Sequence, residues 1–314
     1  MKKPLIILTG PTAVGKTELS IALAKAINGE IISADSMQVY KHMDIGSAKI
    51  TKEEMDGVIH YLVDVIEPSE EFNVVRFQQM AKEAMNIIYA KGKIPIVVGG
   101  TGFYIQALLN DIDFEDTRED ASYRAKLEEE AKQYGATYLH NKLKEVDPQS
   151  AIDIHANNVK RVIRALEYFH LTNEPISKHN EIQRQKQSPY NFAYFVLNMD
   201  RDLLYERINK RIDIMMESGL VREVEWLKNQ GYTSDMVSMK GLGYKEILEY
   251  LDGAYSLEEA IYILKRDTRH FAKRQITWFK REKDVIWLEK EKDSKTSELL
   301  EQIISICKER GLLS

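Results

Sequence analysis

Cysteine is almost missing from this chain of 314 residues. The single Cys307 excludes a disulfide framework and a thiolate metal cluster. Seven histidines are present, but none stand at H-x-x-x-H or similar ligand spacing. Long apolar runs are also lacking. Met1-Lys2-Lys3-Pro4 leads straight into a short buried strand, too short for a signal h-region or a spanning helix, so a cytoplasmic protein with no membrane partner is expected. There is no internal repeat and no low-complexity tract. Nor is there a surplus of positive charge. Forty-four Lys and Arg face 49 Asp and Glu, a net charge of −5, so a nucleic-acid partner would have to be met by local patches. What remains is ordinary globular composition, 44% hydrophobic and 30% charged, in a chain long enough for one large or two modest cores.

The most informative stretch is Gly10-Pro11-Thr12-Ala13-Val14-Gly15-Lys16-Thr17. It follows the apolar run Leu5–Leu8 and precedes a helical pattern from Glu18 to Ile27. Strand, glycine loop and helix in the spacing G-x-x-x-x-G-K-T form a P-loop. Backbone N–H groups wrap an anionic phosphate, and the helix N-terminus adds its positive end. Lys16 supplies a point charge and Thr17 a hydroxyl for Mg²⁺. The motif reports a di- or triphosphate, without saying whether that phosphate belongs to a nucleotide.

Further apolar runs read as buried parallel strands: Glu30–Ser33, Tyr61–Val65, Ile94–Val98 and Phe192–Leu197, with Ile286-Trp287-Leu288 as one more. Helical patterns such as Val75–Ala90 alternate with them, which predicts a doubly wound α/β sheet with its ligands at the strand carboxyl ends. The rhythm breaks after Asn110. An acidic connector, Asp111 to Asp120, leads into three helical stretches, the last from about Asn158 to His170. The reading is a core of residues 1–111 and 191–314 interrupted by a helical insertion at 112–190. Past Asp200 the chain is helical again, through Leu203–Ser218, Val221–Asn229, Leu257 to about Lys280, and Asp293–Glu309.

Several side chains fall where such a sheet would bind ligand. Asp35 ends the second strand and could coordinate Mg²⁺ or accept a proton, or merely cap a turn. Gly99-Gly100-Thr101-Gly102 is a second strand-then-glycine turn. Tyr61-Leu62-Val63-Asp64 has the outline of a Walker B strand, with a cap or salt bridge as the other role for Asp64. Arg207 and Arg211 share a helix face and could clamp a diphosphate or pair with Glu206 and Asp213. Lys160, Arg161 and Arg164 crowd one side of an insertion helix. Lys265–Lys283 holds eight Lys and Arg against two acids, with Arg266, Lys273 and Lys280 on one face and Phe271, Trp278 and Phe279 interleaved, a pattern suited to a phosphate backbone. Three activities remain open on these residues: group transfer from a diphosphate, a P-loop kinase or ATPase acting on a small acceptor, and a nucleotide-switched RNA-binding protein without catalysis.

Taken together, the chain resembles the tRNA dimethylallyltransferase family. The likeness rests on the P-loop, on Asp35-Ser36 with Tyr40 and Met43–Lys49, and on Gly99–Gly102. It continues through Lys160–Glu167, Lys240-Gly241-Leu242-Gly243-Tyr244 and Arg274-Gln275-Ile276-Thr277-Trp278-Phe279. The resemblance implies a P-loop NTPase-like parallel sheet flanked by helices, with an inserted helical tRNA-binding domain. It implies a monomer that transfers the prenyl group of dimethylallyl diphosphate to the N6 amine of an adenosine beside the tRNA anticodon, with Mg²⁺ and without ATP hydrolysis. In that scheme Asp35 is the general base, Thr17 the Mg²⁺ and diphosphate ligand, Lys16 and Arg211 the diphosphate neutralisers, and Thr101 a residue of the prenyl–adenine channel. Residues 10–17 (Gly10, Pro11, Thr12, Ala13, Val14, Gly15, Lys16, Thr17) cradle the diphosphate. The anticodon stem-loop is touched by Asp35, Ser36, Met37, Gln38, Thr101, Arg124, Lys160, Arg161, Val162, Ile163, Arg164 and by Lys240, Gly241, Leu242, Gly243, Tyr244 and Lys245. Met37-Gln38 and Lys160 depart from the family's usual residues.

Overall fold

The computed structural model describes residues 2–114 and 120–313, so residues 115–119 of the acidic connector lie outside the described residues. The chain divides into two compact units, Met1–Leu109 with Pro189–Ser314, and Asn110–Ser188.

The first unit is built on one six-stranded sheet. Its strands are β1 (Lys3–Thr9), β2 (Glu30–Ser33), β3 (His60–Tyr61), β4 (Pro95–Gly99), β5 (Tyr190–Asn198) and β6 (Val285–Glu289). The order is β3-β2-β4-β1-β5-β6, with every pair parallel. Parallel strands need covering on both faces, which is why Leu5–Leu8, Ile31, Ile32, Ile96, Val97 and Ala193–Leu197 are apolar without alternation and buried. β1 lies in the interior between β4 and β5, and its carboxyl end opens into the P-loop.

The third strand is shorter than the apolar run 61–65 suggests. Leu62 and Asp64 both adopt positive φ, 62° and 60°, which ends the extended backbone after Tyr61. The Walker B outline fails for the same reason. Asp64 sits beyond the edge strand, and its carboxylate takes the ammonium of Lys49 at 2.9 Å.

Helices α1 (Lys16–Ile27), α2 (Lys52–Met55), α3 (Val74–Ala90) and α4 (Gly102–Leu109) follow the early strands. The second unit contains α5 (Ala121–Tyr134), α6 (Ala136–Val146), α7 (Pro148–Asp153), α8 (Val159–Thr172) and α9 (Ile176–Gln185). The chain returns to the first unit for α10 (Arg201–Ser218), α11 (Leu220–Asn229), α12 (Tyr244–Leu251), α13 (Leu257–Phe279) and α14 (Thr296–Glu309). Helix starts follow local chemistry: Asn73, Asp200 and Ser256 each accept first-turn N–H groups through their side chains. No described helix is long and apolar enough to cross a membrane.

The second unit has its own core of Leu127, Leu139, Leu143, Val162, Ile163, Ala165 and Leu166. Two buried acids tie its helices. Glu167 receives Arg124 through Nε at 2.8 Å and Nη2 at 2.9 Å. Asp147 accepts the hydroxyls of Ser150 and Ser177 at 2.7 and 2.6 Å, joining the starts of α7 and α9.

Candidate active site

The P-loop joins β1 to α1 with two residues that only glycine suits. Gly10 has φ 147°, and a Cβ there would stand 2.2 Å from the Leu197 carbonyl oxygen of β5. Gly15, at φ 104°, precedes the first turn of α1. Lys16 folds back over the loop and donates to the carbonyls of Gly10 and Pro11 at 2.9 and 2.8 Å. Thr17 stands exposed in the first turn of α1.

Cations gather on this loop from distant segments. Arg207 of α10 donates Nε to the Ala13 carbonyl at 2.8 Å, and Arg211, one turn on, reaches Thr12 Oγ1 at 3.4 Å. Both arginines thus reach the loop, Arg207 while still exposed, and Asp213, one of the two suggested partners, is taken by Lys265 at 2.5 Å. The crowding has an electrostatic signature. Burial, with the Arg211 charge beside it, lowers the Lys16 ammonium to about 7, against a smaller pull upward from Asp35. Burial and Arg207 likewise lower Arg211.

Asp35 follows β2 and the buried Ala34 at the carboxyl edge of the sheet. Its Oδ1 accepts the backbone N–H groups of Met37 at 2.8 Å and Gln38 at 3.3 Å, an Asx turn that fixes the side chain. Among the described residues Oδ2 accepts nothing, so one oxygen is anchored and the other is open to a ligand. Thr101 lies just beyond the end of the neighbouring strand β4, half-buried, and donates its N–H to the Ala34 carbonyl at 3.2 Å. Asp35 acts electrostatically on both Lys16 and Arg211, so the carboxylate and the phosphate loop share one site.

Sequence reading left one residue of this site unassigned. Gln275 of α13 accepts the Thr12 N–H with Oε1 and donates Nε2 to the Gly100 carbonyl, both at 2.9 Å. It is buried and clips the P-loop to the second glycine turn. Its signal was the Arg274–Phe279 run, which marked the segment without revealing this role. Trp278 lies one turn on, so close to Gly102 that a Cβ there would meet its indole at 2.3 Å.

The Met43–Lys49 loop is held by Glu223 of α11. Its carboxylate accepts the N–H groups of Asp44, Ile45 and Gly46 at 2.7–3.0 Å and the Tyr244 hydroxyl at 2.8 Å. Gln38 donates to the Ala48 carbonyl of the same loop at 3.1 Å, and Gly241 lies against Met37, where a Cβ would stand 2.4 Å from its Cε. Residues 35–38, 43–49 and 240–245 are thereby one surface, and Ser36 and Leu242 are half-buried in it.

Some side chains face inward instead. Tyr244 is fully buried, and Val162 and Ile163 belong to the core of the second unit, so none of the three side chains is open to a ligand. On α8 the exposed cations are Lys160, Arg161 and Arg164. Arg124 is engaged by Glu167. Along α13, Phe279 is buried in the core, whereas Lys273, Arg274, Thr277, Trp278 and Arg281 line a shallow cavity of about 270 Å³.

The family model described as IPP transferase matches residues 38–282. The chain belongs to the IPP transferase family. It is therefore an enzyme, a transferase, and its parallel α/β fold is that of the family's solved members. A tRNA dimethylallyltransferase of Lachnoclostridium phytofermentans is 65% identical over 99% of both chains. One from Acetivibrio thermocellus is 53% identical over 95% of this chain and 96% of the relative. The structure of a tRNA isopentenylpyrophosphate transferase from Bacillus halodurans aligns with TM-score 0.74 at 46% identity, covering 99% of this chain and 98% of the other. A eukaryotic dimethylallyltransferase solved acting on tRNA aligns with TM-score 0.84 at 30% identity, covering 98% of this chain and 79% of the other. In this IPP transferase, then, the P-loop, Asp35 and the cations of α10 face one another at the carboxyl edge of the sheet.

Proposed function

We propose that the protein transfers the dimethylallyl group of dimethylallyl diphosphate to the N6 amine of an adenosine beside the tRNA anticodon, as a cytoplasmic monomer. The observation that carries this reading is the pairing of a cation-ringed P-loop with one carboxylate, Asp35, whose Oδ2 is open. A diphosphate bound by the loop's N–H groups, Lys16 and Arg211 is stabilised as a leaving group as the allylic carbon–oxygen bond breaks. The adenine nitrogen attacks that carbon, and the proton it loses passes to Asp35. The anchored Oδ1 keeps the acceptor oxygen oriented, and the electron pair of the broken bond leaves with the diphosphate.

Mg²⁺ fits the donor set. No group of three His, Cys, Asp or Glu gathers among the described residues, and a small hard cation that takes most of its oxygens from diphosphate and water needs few protein ligands. Thr17 would hold it by its hydroxyl, and its charge would help neutralise the departing diphosphate.

The adenine must leave the anticodon stack to reach the site. The surface of residues 35–38 and 240–245, with Thr101, supports a role in receiving it, and the exposed cations of α8 and α13 suit the phosphate backbone. Asp35→Asn, which keeps the Oδ1 acceptor of the Asx turn and removes the carboxylate, tests the assignment. Incubated with tRNA and dimethylallyl diphosphate, it should bind tRNA normally, while the five-carbon mass increase in the RNA slows by at least ~100-fold, the scale for losing a general base. Near-normal product would remove Asp35 from that role.

A further inference from the structure

We propose that Lys290 is a diphosphate-binding residue, a further cation that β6 delivers to the P-loop. The residue follows β6 directly, and its N–H donates to the Asn198 carbonyl at 2.8 Å, which continues the β5–β6 pairing to the sheet's ligand edge. That hydrogen bond fixes where the side chain starts. The ammonium ends 3.1 Å from the point a Cβ on Gly15 would occupy, with Arg207 Nη2 3.7 Å from the same point. It thus fills the space vacated by the glycine that precedes Lys16. The side chain is only 14% exposed, and the nearest carboxylate, that of Glu18, lies at 3.9 Å on a side chain that is 68% exposed. Among the described residues Nζ has no hydrogen-bond acceptor.

A desolvated ammonium without an acceptor is costly by itself. Beside a loop of inward N–H groups, and next to Arg207, that cost is offset when a polyanion arrives. Glu18 cannot play that part well, because its charge faces solvent and one oxygen already accepts the Thr296 hydroxyl at 2.5 Å. The geometry makes Glu18 a weak occupant that a diphosphate displaces. Lys290 is well removed in sequence from the P-loop and belongs to no motif that marked the rest of the site.

The inference rests on the P-loop being the diphosphate site. Lys290→Met keeps the aliphatic stem and removes the charge. Titrated calorimetrically with dimethylallyl diphosphate in the absence of tRNA, it should bind about tenfold more weakly, the loss of one charge-assisted contact. Lys290→Arg should restore most of that affinity. Glu18→Gln, which removes the competing carboxylate, should bind at least as tightly as the parent. The thermal midpoint of Lys290→Met should hold or rise, because the uncompensated ammonium is gone, and its tRNA affinity should be unchanged, whereas a purely structural role would lower the midpoint. Parental diphosphate affinity in Lys290→Met, alongside weakened binding in Lys16→Met, overturns the role of Lys290 alone. Parental affinity in Lys16→Met overturns the reading of the P-loop itself.

Discussion

Binding of the allylic diphosphate should draw a proton from solvent, and the proton should land on Lys16. In the ligand-free protein this ammonium is lowered to about 7 from 10.5 by burial and by Arg211. At pH 8 about one-tenth of the molecules carry the Lys16 charge, by simple titration about that value. A bound diphosphate restores the pKa, because an opposite charge favours the ammonium. The signs then follow. A group whose pKa rises on binding favours binding at low pH, so affinity falls as pH climbs above about 7. The protonated fraction falls from about one-half at pH 7 to about one-hundredth at pH 9, so that step weakens binding by up to ~50-fold. The diphosphate's own last ionisation lies near pH 6, below this window. Folding runs the other way. Between the folded and unfolded values the unfolded chain binds a proton that the folded chain does not, so Lys16's contribution to stability grows as pH rises from about 7 towards 10.5. Calorimetry at pH 8 in two buffers of different ionisation enthalpy, without tRNA, reads the uptake directly. About 0.9 proton should enter per diphosphate bound, and the uptake should vanish in Lys16→Met. Uptake near zero in the parent, or unchanged in Lys16→Met, refutes the reasoning.

Two structural predictions accompany it. Glu223→Ala strips acceptors from the N–H groups of Asp44, Ile45 and Gly46 and from the Tyr244 hydroxyl. It should lower unfolding free energy by about 2–3 kcal/mol in urea, since solvent replaces only part of a charged acceptor; a loss below about 0.5 kcal/mol would show the loop is held otherwise. Gly99→Ala places a Cβ 2.3 Å from the backbone oxygen of Ala34, which immediately precedes Asp35, so the second strand must shift. The expected cost is about 1–3 kcal/mol of stability, with a larger relative loss of prenyl transfer than of tRNA binding; an unaffected transfer rate contradicts the rigid seat claimed for Asp35.

The sheet was legible because buried parallel strands leave continuous apolar runs, and five of the six runs became strands close to their expected bounds. The sixth, after Tyr61, was misread because hydropathy does not record φ: Leu62 and Asp64 are left-handed, and one is apolar. The helices expected from Val75, Leu203, Val221 and Leu257 begin within two residues of those positions, because their apolar stripes keep the helical period. The P-loop and Asp35 stood out because loop and strand-end chemistry is local. What lay beyond sequence reading was contact between distant segments. Arg207 was ambiguous on its helix face until the Ala13 carbonyl was seen beside it. Gln275 and Glu223 carry ordinary side chains whose partners are chosen by topology. Of the interleaved aromatics of the basic segment, Phe279 misled for the opposite reason, since it faces the core, whereas Trp278 lies beside the cations.

The clip made by Gln275 also governs when the site comes into being. Thr12 and Gln275 are separated by 263 positions, and β1 is not flanked on its second side until residues 190–198 join the sheet. On a ribosome the phosphate loop emerges 263 positions before the glutamine that closes it. Such long-range closure makes folding slow relative to a local fold. The growing chain therefore carries the phosphate-binding sequence without a finished phosphate cradle, and competence arrives only when α13 docks.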